Sequence, residues 1–116
     1  MRKKDIRTRD DVVQALGDRT EFERSVLLET FNIPAGRVST YKRIAEKIDR
    51  PNAYRAVGNA LHKNPLSPVV PCHRVLASDG SFGGPRDGAD RRRARLEKEG
   101  VPIDKCRVKI TRDILY

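Results

Sequence analysis

Apolar residues fall along this chain in short runs with helical spacing, separated by clusters of turn-forming residues. Thr8-Arg9-Asp10-Asp11 reads as the cap of a brief helix that runs through Leu16 and ends at Gly17. Thr20-Glu21-Phe22-Glu23 is a capping box ahead of Val26, Leu27, Leu28 and Phe31, whose spacing buries one side of a second helix. Pro34-Ala35-Gly36-Arg37 turns the chain and Val38 enters a short extended piece. Ser39 or Thr40 then caps a third helix that points Tyr41, Ile44, Ala45 and Ile48 one way. Asp49-Arg50-Pro51-Asn52 breaks the pattern, with Asn52 able to cap, and Ala53, Val57, Ala60 and Leu61 resume it. Two short helices across a tight turn predict helix-turn-helix geometry.

The pattern changes after this pair. Asn64-Pro65-Leu66-Ser67-Pro68 is a stiff connector, and Val69-Val70 reads as a buried strand or extended segment. Arg74-Val75-Leu76-Ala77, the turn Ser78-Asp79-Gly80-Ser81, and Phe82 predict a hairpin. Gly83, Gly84, Pro85 and Gly88 make an irregular loop. Ala89 through Glu99 form a helix, with Asp87 or Asp90 near its start and Gly100 just past its end. Cys106 through Ile110 alternate with period two and read as a closing edge strand. The fold class expected is α/β, mostly helical. It is a single small domain with a helix-turn-helix of winged-helix-like form and a short β-hairpin carrying Cys72. Residues 1–19 are an arm and short helix, and residues 20–116 form the principal domain.

Composition narrows the function. The 116 residues, 37% hydrophobic and 5% aromatic, support one modest core. No apolar run approaches membrane-spanning length and the basic start has no signal-peptide pattern, so neither a membrane nor secretion is expected. A cytoplasmic or nucleoid-associated location follows. The net charge of +9 favours a polyanionic partner, nucleic acid first. Between Arg37 and Asn64, seven Lys or Arg stand against Glu46 and Asp49, so this segment supplies +5 of the +9. The fourth predicted helix carries Arg55, Asn59, His62 and Lys63 opposite its apolar side, with Gly58 and alanines leaving little bulk. That face fits a DNA groove; an ordinary solvated helix pair would carry the same charges.

The remaining chemistry lies in Pro71-Cys72-His73-Arg74-Val75. Two cysteines, Cys72 and Cys106, are too few for a disulfide framework and are expected as thiols. Neighbours in a regular strand point apart, and a cysteine in a small core is usually an inert hydrophobe. Pro71, however, restricts its own backbone and that of Val70. A kink there lets His73 reach the sulfur directly or through a water, and an imidazole nearby raises the thiolate fraction. His62, Cys72, His73 and Cys106 lack the paired spacing of a structural zinc site, so no metal is expected.

Gly36-Arg37-Val38-Ser39-Thr40-Tyr41, Arg55-Ala56-Val57-Gly58-Asn59-Ala60, Asn64-Pro65 and Pro71-Cys72-His73-Arg74-Val75 together resemble the C-terminal, DNA-binding and active-site domain of the O6-alkylguanine-DNA alkyltransferases. The likeness runs from about Thr20 to Gly100. It implies that Cys72 attacks the alkyl carbon on guanine O6, His73 draws off the thiol proton through water, and Glu99 orients His73. Tyr41 would disturb the phosphate beside the flipped base and give a proton to the departing guanine. Asn64 would brace the turn before the active-site segment. Arg55 would enter the minor groove and replace the extruded nucleotide, with Gly58 allowing close approach. Further DNA contacts are implied at Thr40, Ala56, Asn59, Lys63 and Ser78, and pocket walls at Leu61, Val75, Pro85, Arg86 and Asp87.

Under this resemblance the partner is double-stranded DNA containing O6-alkylguanine, bound by a monomer without cofactor. The thioether formed is stable, so each molecule acts once. Where the family has a tyrosine, serine and glycine lining the alkyl pocket, this chain has Pro85-Arg86-Asp87. The alkyltransferase-like proteins are also similar in being single short domains with a basic last helix, but they typically replace the cysteine with tryptophan or alanine. Those bind lesions and hand them to excision-repair proteins, which gives the alternative reading. A thiol hydrolase or redox enzyme is a third reading, to which an arginine wedge brings nothing.

Overall fold

Thr8 opens the first helix, α1 (Arg9–Ala15), with a complete capping box. Its hydroxyl accepts the Asp11 N–H at 3.2 Å while the Asp11 carboxylate accepts the Thr8 N–H at 3.0 Å. These bonds satisfy donors that a first helical turn leaves free. At α2 (Glu21–Phe31) the Thr20 hydroxyl accepts the Glu23 N–H at 3.1 Å, so the predicted start stands. The computed structural model describes residues 6–66, 69–82, 86–105 and 107–116, with only the backbone described at 86 and 87. Val12 and Leu16 of the first helical segment are sealed with Val26 and Leu27 in one cluster, which packs α1 into the main core.

Gly36, at φ 85°, closes the turn in which the Arg37 N–H donates to the Pro34 carbonyl. Strand β1 (Ser39–Thr40) leads directly into α3 (Tyr41–Lys47), where the Thr40 hydroxyl accepts the Arg43 N–H at 3.1 Å. Ile44 and Ala45 are buried, with Tyr41 and Ile48 packed at the cluster's margin. The helix closes through Asp49 at φ 62°, and the Arg50 N–H reaches back to the Ala45 carbonyl at 2.8 Å. Glycine usually takes such a position, but a short polar side chain tolerates it. Helix α4 (Tyr54–His62) follows, burying Val57, Ala60 and Leu61 against α2 and α3. Its cap differs from expectation. Ala53, not Asn52, is the N-cap residue, and it makes no side-chain cap bond; its N–H instead donates to the Arg50 carbonyl, so the interhelical turn itself sets the start.

The second half departs further from local expectation. Val69-Val70 is not a strand, because the Val70 N–H turns back to the Leu66 carbonyl at 3.0 Å. Cys72–Arg74 form a 3-10 turn, and β2 (Val75–Leu76) pairs in parallel with β1, Ser39 opposite Val75 and Thr40 opposite Leu76. The predicted turn at Ser78–Ser81 forms, closed by the Ala77 N–H on the Ser81 carbonyl at 3.0 Å. Yet Phe82 does not complete a hairpin with β2, since the ladder of β2 is with β1 and Phe82 packs into a second cluster. Cys72 therefore rides on a 3-10 turn at the mouth of a parallel ladder.

The helix α5 (Arg86–Lys98) begins three residues before the predicted Ala89. It ends in the double bond pattern of a Schellman motif, Val101 N–H to Leu96 carbonyl and Gly100 N–H to Glu97 carbonyl, with Gly100 at φ 85°. Strands β3 (Ile103–Asp104) and β4 (Arg107–Val108) pair antiparallel, Ile103 opposite Val108 and Asp104 opposite Arg107. Cys106 lies outside the described residues. Val38, Leu76, Leu96, Val101 and Val108 make the second cluster, so β2 sends Val75 to one core and Leu76 to the other. The tail returns to the helix-turn-helix, with the Val38 N–H donating to the Ile114 carbonyl at 2.8 Å, the Tyr116 N–H donating to the Val38 carbonyl at 2.7 Å, and Lys47 Nζ 4.0 Å from the Tyr116 ring. Among the described residues, no helix is long and apolar enough to cross a membrane.

Candidate active site

Pro71 ends the turn begun at Leu66, and the 3-10 geometry that follows removes the strand alternation that would have thrown Cys72 and His73 to opposite faces. Cys72 is half-buried and free, at the edge of a cavity of about 500 Å³ shared with Tyr41, Gly58, Leu61 and Asn64. His73 turns inward and is 3% exposed. Its Nε2 is 2.8 Å from Glu99 Oε2, and its buried Nδ1 has no hydrogen-bond partner among the described residues. With Nε2 donating to the carboxylate, Nδ1 is left as an acceptor.

Glu99 owes its position to the end of α5, where it is the last residue before the left-handed Gly100. Arg74 Nε donates to Glu99 Oε1 at 2.9 Å and Nη2 to Oε2 at 2.8 Å, while Nη1 donates to the Ile33 carbonyl at 2.7 Å. Partial burial works against charge on Glu99, but the bonds from Arg74 and His73 outweigh it and hold the carboxyl down at about 2. Burial pushes the His73 imidazole below its ordinary value of 6.5; the Glu99 bond pulls the other way without cancelling it. The result is a neutral base anchored to a permanent anion. Arg74 had no role in the sequence reading, and only its place beside His73 marks it.

Asn64 closes the approach to this turn. Its Nδ2 donates to the Val70 carbonyl and its Oδ1 accepts the Leu66 N–H, each at 2.9 Å. Tyr41, the first residue of α3, lies over Gly58, where an added Cβ would stand 3.9 Å from the ring. Cys72, Tyr41, Asn64, Gly58 and Leu61 are thus brought to one cavity, while His73 and Glu99, paired with each other, are not among its lining residues.

Other expected site residues lie elsewhere. Arg55 is exposed on α4 next to Tyr54, itself 48% exposed. Ala56, Asn59 and Lys63 face a smaller groove with Thr20, Phe22 and Glu23 on the flank away from the thiol. Thr40 is 6% exposed, and its hydroxyl accepts the Arg43 N–H as the cap of α3. Val75 is corrected. It is fully buried in the core because the β1–β2 ladder turns it away from the cavity. Ser78 is exposed in the turn after β2. Pro85 and the side chains of Arg86 and Asp87 lie outside the described residues. The cavity wall also has three arginines of α5, Arg91, Arg92 and Arg95, to which the sequence alone gave no site role. Among the described residues no cluster of His, Cys, Asp and Glu fits a metal ion.

Comparison with known proteins fits this arrangement. A methylated-DNA–protein-cysteine methyltransferase of Methanosarcina barkeri is 45% identical over 80 residues, 69% of this chain and 51% of its own length. That of Saccharolobus solfataricus is 49% identical over 82 residues, 71% of this chain and 52% of its own. The chain spans about half the length of the curated relatives it matches. The crystal structure of Mycobacterium tuberculosis O6-methylguanine methyltransferase matches with 41% identity and a TM-score of 0.66, over 73% of this chain and 53% of that one. S. pombe Atl1, solved in complex with damaged DNA containing O6-carboxymethylguanine, matches with 35% identity and a TM-score of 0.73, over 83% and 94%. The family model described as 6-O-methylguanine DNA methyltransferase, DNA binding domain, matches residues 21–101, well over half of the chain, which therefore belongs to that family.

Proposed function

We propose that this protein binds duplex DNA through α4, extrudes an O6-alkylated guanine into the cavity beside Cys72, and transfers the alkyl group to its own sulfur once. The observation that carries this reading is the half-buried thiol at the cavity edge, backed by the His73–Glu99–Arg74 network. His73 Nδ1 takes the thiol proton through a water. The thiolate then attacks the alkyl carbon, an S–C bond forms, and the C–O6 bond breaks with its electron pair left on guanine. Tyr41 supplies a proton to the departing base and is recharged from solvent. In net, the proton lost by sulfur is gained by guanine. Arg55 fills the space of the extruded nucleotide, and Gly58 lets the duplex approach. DNA complexes among the relatives, including one of M. tuberculosis OGT, support the DNA partner.

The test is the intact mass after incubation with a duplex containing O6-methylguanine, followed by peptide mapping. A gain of one methyl on Cys72, absent in Cys72→Ala, is expected. An unchanged mass, with the damaged duplex still bound more tightly than an undamaged one, would overturn transfer. It would favour a second reading, lesion recognition that recruits excision-repair proteins. That reading has its own support, because this chain covers 94% of the length of the Atl1 chain.

A further inference from the structure

Two large hydrophobic residues are exposed among the described ones, Tyr54 at 48% and Val13 at 39%. Val13 lies on α1, whereas Tyr54 opens α4 beside the exposed Arg55. The other two tyrosines, Tyr41 and Tyr116, pack against the first core cluster. Tyr54 brings no comparable burial, and tyrosine is a poorer helix former than alanine. No hydrogen bond, ion pair or ring contact among the described residues engages its side chain. Its place on the helix is specific. Tyr54, Gly58, Leu61 and His62 stand at i, i+4, i+7 and i+8, and the last three line the cavity that holds Cys72. Tyr54 therefore lies on the cavity side of α4, about 6 Å along the axis before Gly58. The opposite flank, with Ala56, Asn59, Ala60 and Lys63, faces the smaller groove. From Arg50 to Lys63 the chain has the cations Arg50, Arg55 and Lys63 and no acidic residue.

We infer that Tyr54 is a stacking platform for a nucleobase, and that its ring takes the face of the base next to the extruded one in the same strand. The inference rests on the reading above that places the duplex on α4, and it names a further DNA-binding residue there. Extrusion of a nucleotide strips its neighbour of one stacking partner. An aromatic face beside the cavity then meets apolar surface that an intact duplex does not offer. The strand that carries the extruded nucleotide has to cross the cavity mouth, which is the side of α4 where Tyr54 stands. Arg55 is turned about 100° further round the helix, so the guanidinium fills the gap in the duplex while the ring holds the strand beside it. Base–aromatic stacking accepts any base, so Tyr54 favours an opened site without adding a sequence preference. An exposed aromatic also suits a protein interface, but cations without acidic neighbours favour the polyanion.

The chain has no tryptophan, so Tyr54→Trp keeps an aromatic face and adds a fluorophore at one place. Its emission is followed with three probes: a duplex containing O6-methylguanine, an undamaged duplex, and a duplex with a one-nucleotide gap whose flanking bases are already open. Strong quenching by the damaged and gapped duplexes, and little by the undamaged one, is expected. Affinities are then measured in Cys72→Ala protein. Adding Tyr54→Ala should weaken the damaged and gapped duplexes about tenfold, and Tyr54→Phe by no more than about twofold, with the affinity for undamaged DNA and its salt dependence unchanged. Tyr54 is exposed, so both variants should melt at the parent's temperature. Absence of quenching by the gapped duplex overturns the inference. So does an unchanged affinity of Tyr54→Ala for that duplex, which would leave the ring to a protein partner. An equal loss in Tyr54→Phe and Tyr54→Ala also overturns it, by making the hydroxyl a phosphate ligand. Quenching by the gapped duplex without any preference for O6-methylguanine would overturn the alkylguanine reading and leave base stacking standing.

Discussion

Arg74 grips both carboxylate oxygens of Glu99, Nε to Oε1 at 2.9 Å and Nη2 to Oε2 at 2.8 Å, and is itself tied to the end of α2 through the Ile33 carbonyl. One side chain thus fixes the anion that orients His73. Arg74→Ala should leave Glu99 and the Ile33 carbonyl short of partners and lower stability by about 1–3 kcal/mol. Alkyl transfer should slow by more than the loss of folded protein explains, and Arg74→Lys should recover only part of it because lysine lacks the planar fork. Urea midpoints beside single-turnover rates would show this; a rate unchanged in Arg74→Ala would remove Arg74 from the mechanism.

The two titrating groups give the pH dependence the same sign. Glu99, depressed from 4.5 to about 2, contributes stability that is complete above its unfolded value and is lost as pH falls towards about 2. His73 lies below 6.5, so the unfolded chain takes up its proton first and stability begins to fall once pH drops through 6.5. Transfer should hold level through neutrality and decline only below 6.5. In Glu99→Gln the acid limb should move lower, since the interaction that raises His73 is gone, while the plateau rate falls by about 10²-fold or more. An acid limb centred above 6.5 would contradict a neutral, buried His73.

Gly58 separates folding from DNA approach. Its missing Cβ would meet Tyr41 at ordinary contact distance, and alanine is the better helix former, so Gly58→Ala should be neutral or stabilising by up to about 1 kcal/mol. Binding of a damaged duplex should nevertheless weaken if the sugar-phosphate backbone comes against α4. Titration of a fluorescent duplex decides it, and undiminished affinity would place the duplex elsewhere.

Gly80 is the opposite case. It has φ 85°, and a side chain there would collide with the Val108 carbonyl, in the same contact where the Val108 N–H donates to the Gly80 carbonyl at 2.9 Å. Gly80→Ala should cost more than about 2 kcal/mol, from backbone strain together with a displaced β3–β4 hairpin. Thermal unfolding would show it, and a melting temperature unchanged within a degree or two would mean that the hairpin does not lean on this turn.

Local chemistry made much of this legible. Thr8 and Thr20 cap, Gly36 turns, and Gly100 ends α5, because each is set by residues within a few positions. The β1–β2 ladder was not legible, because Ser39 and Val75 meet only after the chain has wrapped around α3 and α4. A hairpin was the natural local reading of Ser78–Ser81, and a distant partner claimed the strand. Val75 misled for the same reason, and Arg74 could not be assigned before α5 was known to end beside it. Arg91, Arg92 and Arg95 were within reach, since their spacing with Gly88 already puts them on one face.

Glu99 stands at the carbonyl end of α5, where the helix field is hostile to negative charge and a basic residue would sit more comfortably. Arg74 is what makes it tolerable, so the pair behaves as a unit. Anyone evolving this domain for heat resistance alone would find the easiest gains in replacing both together with well-packed apolar groups, and would breed a sturdier protein whose histidine had lost its anchor.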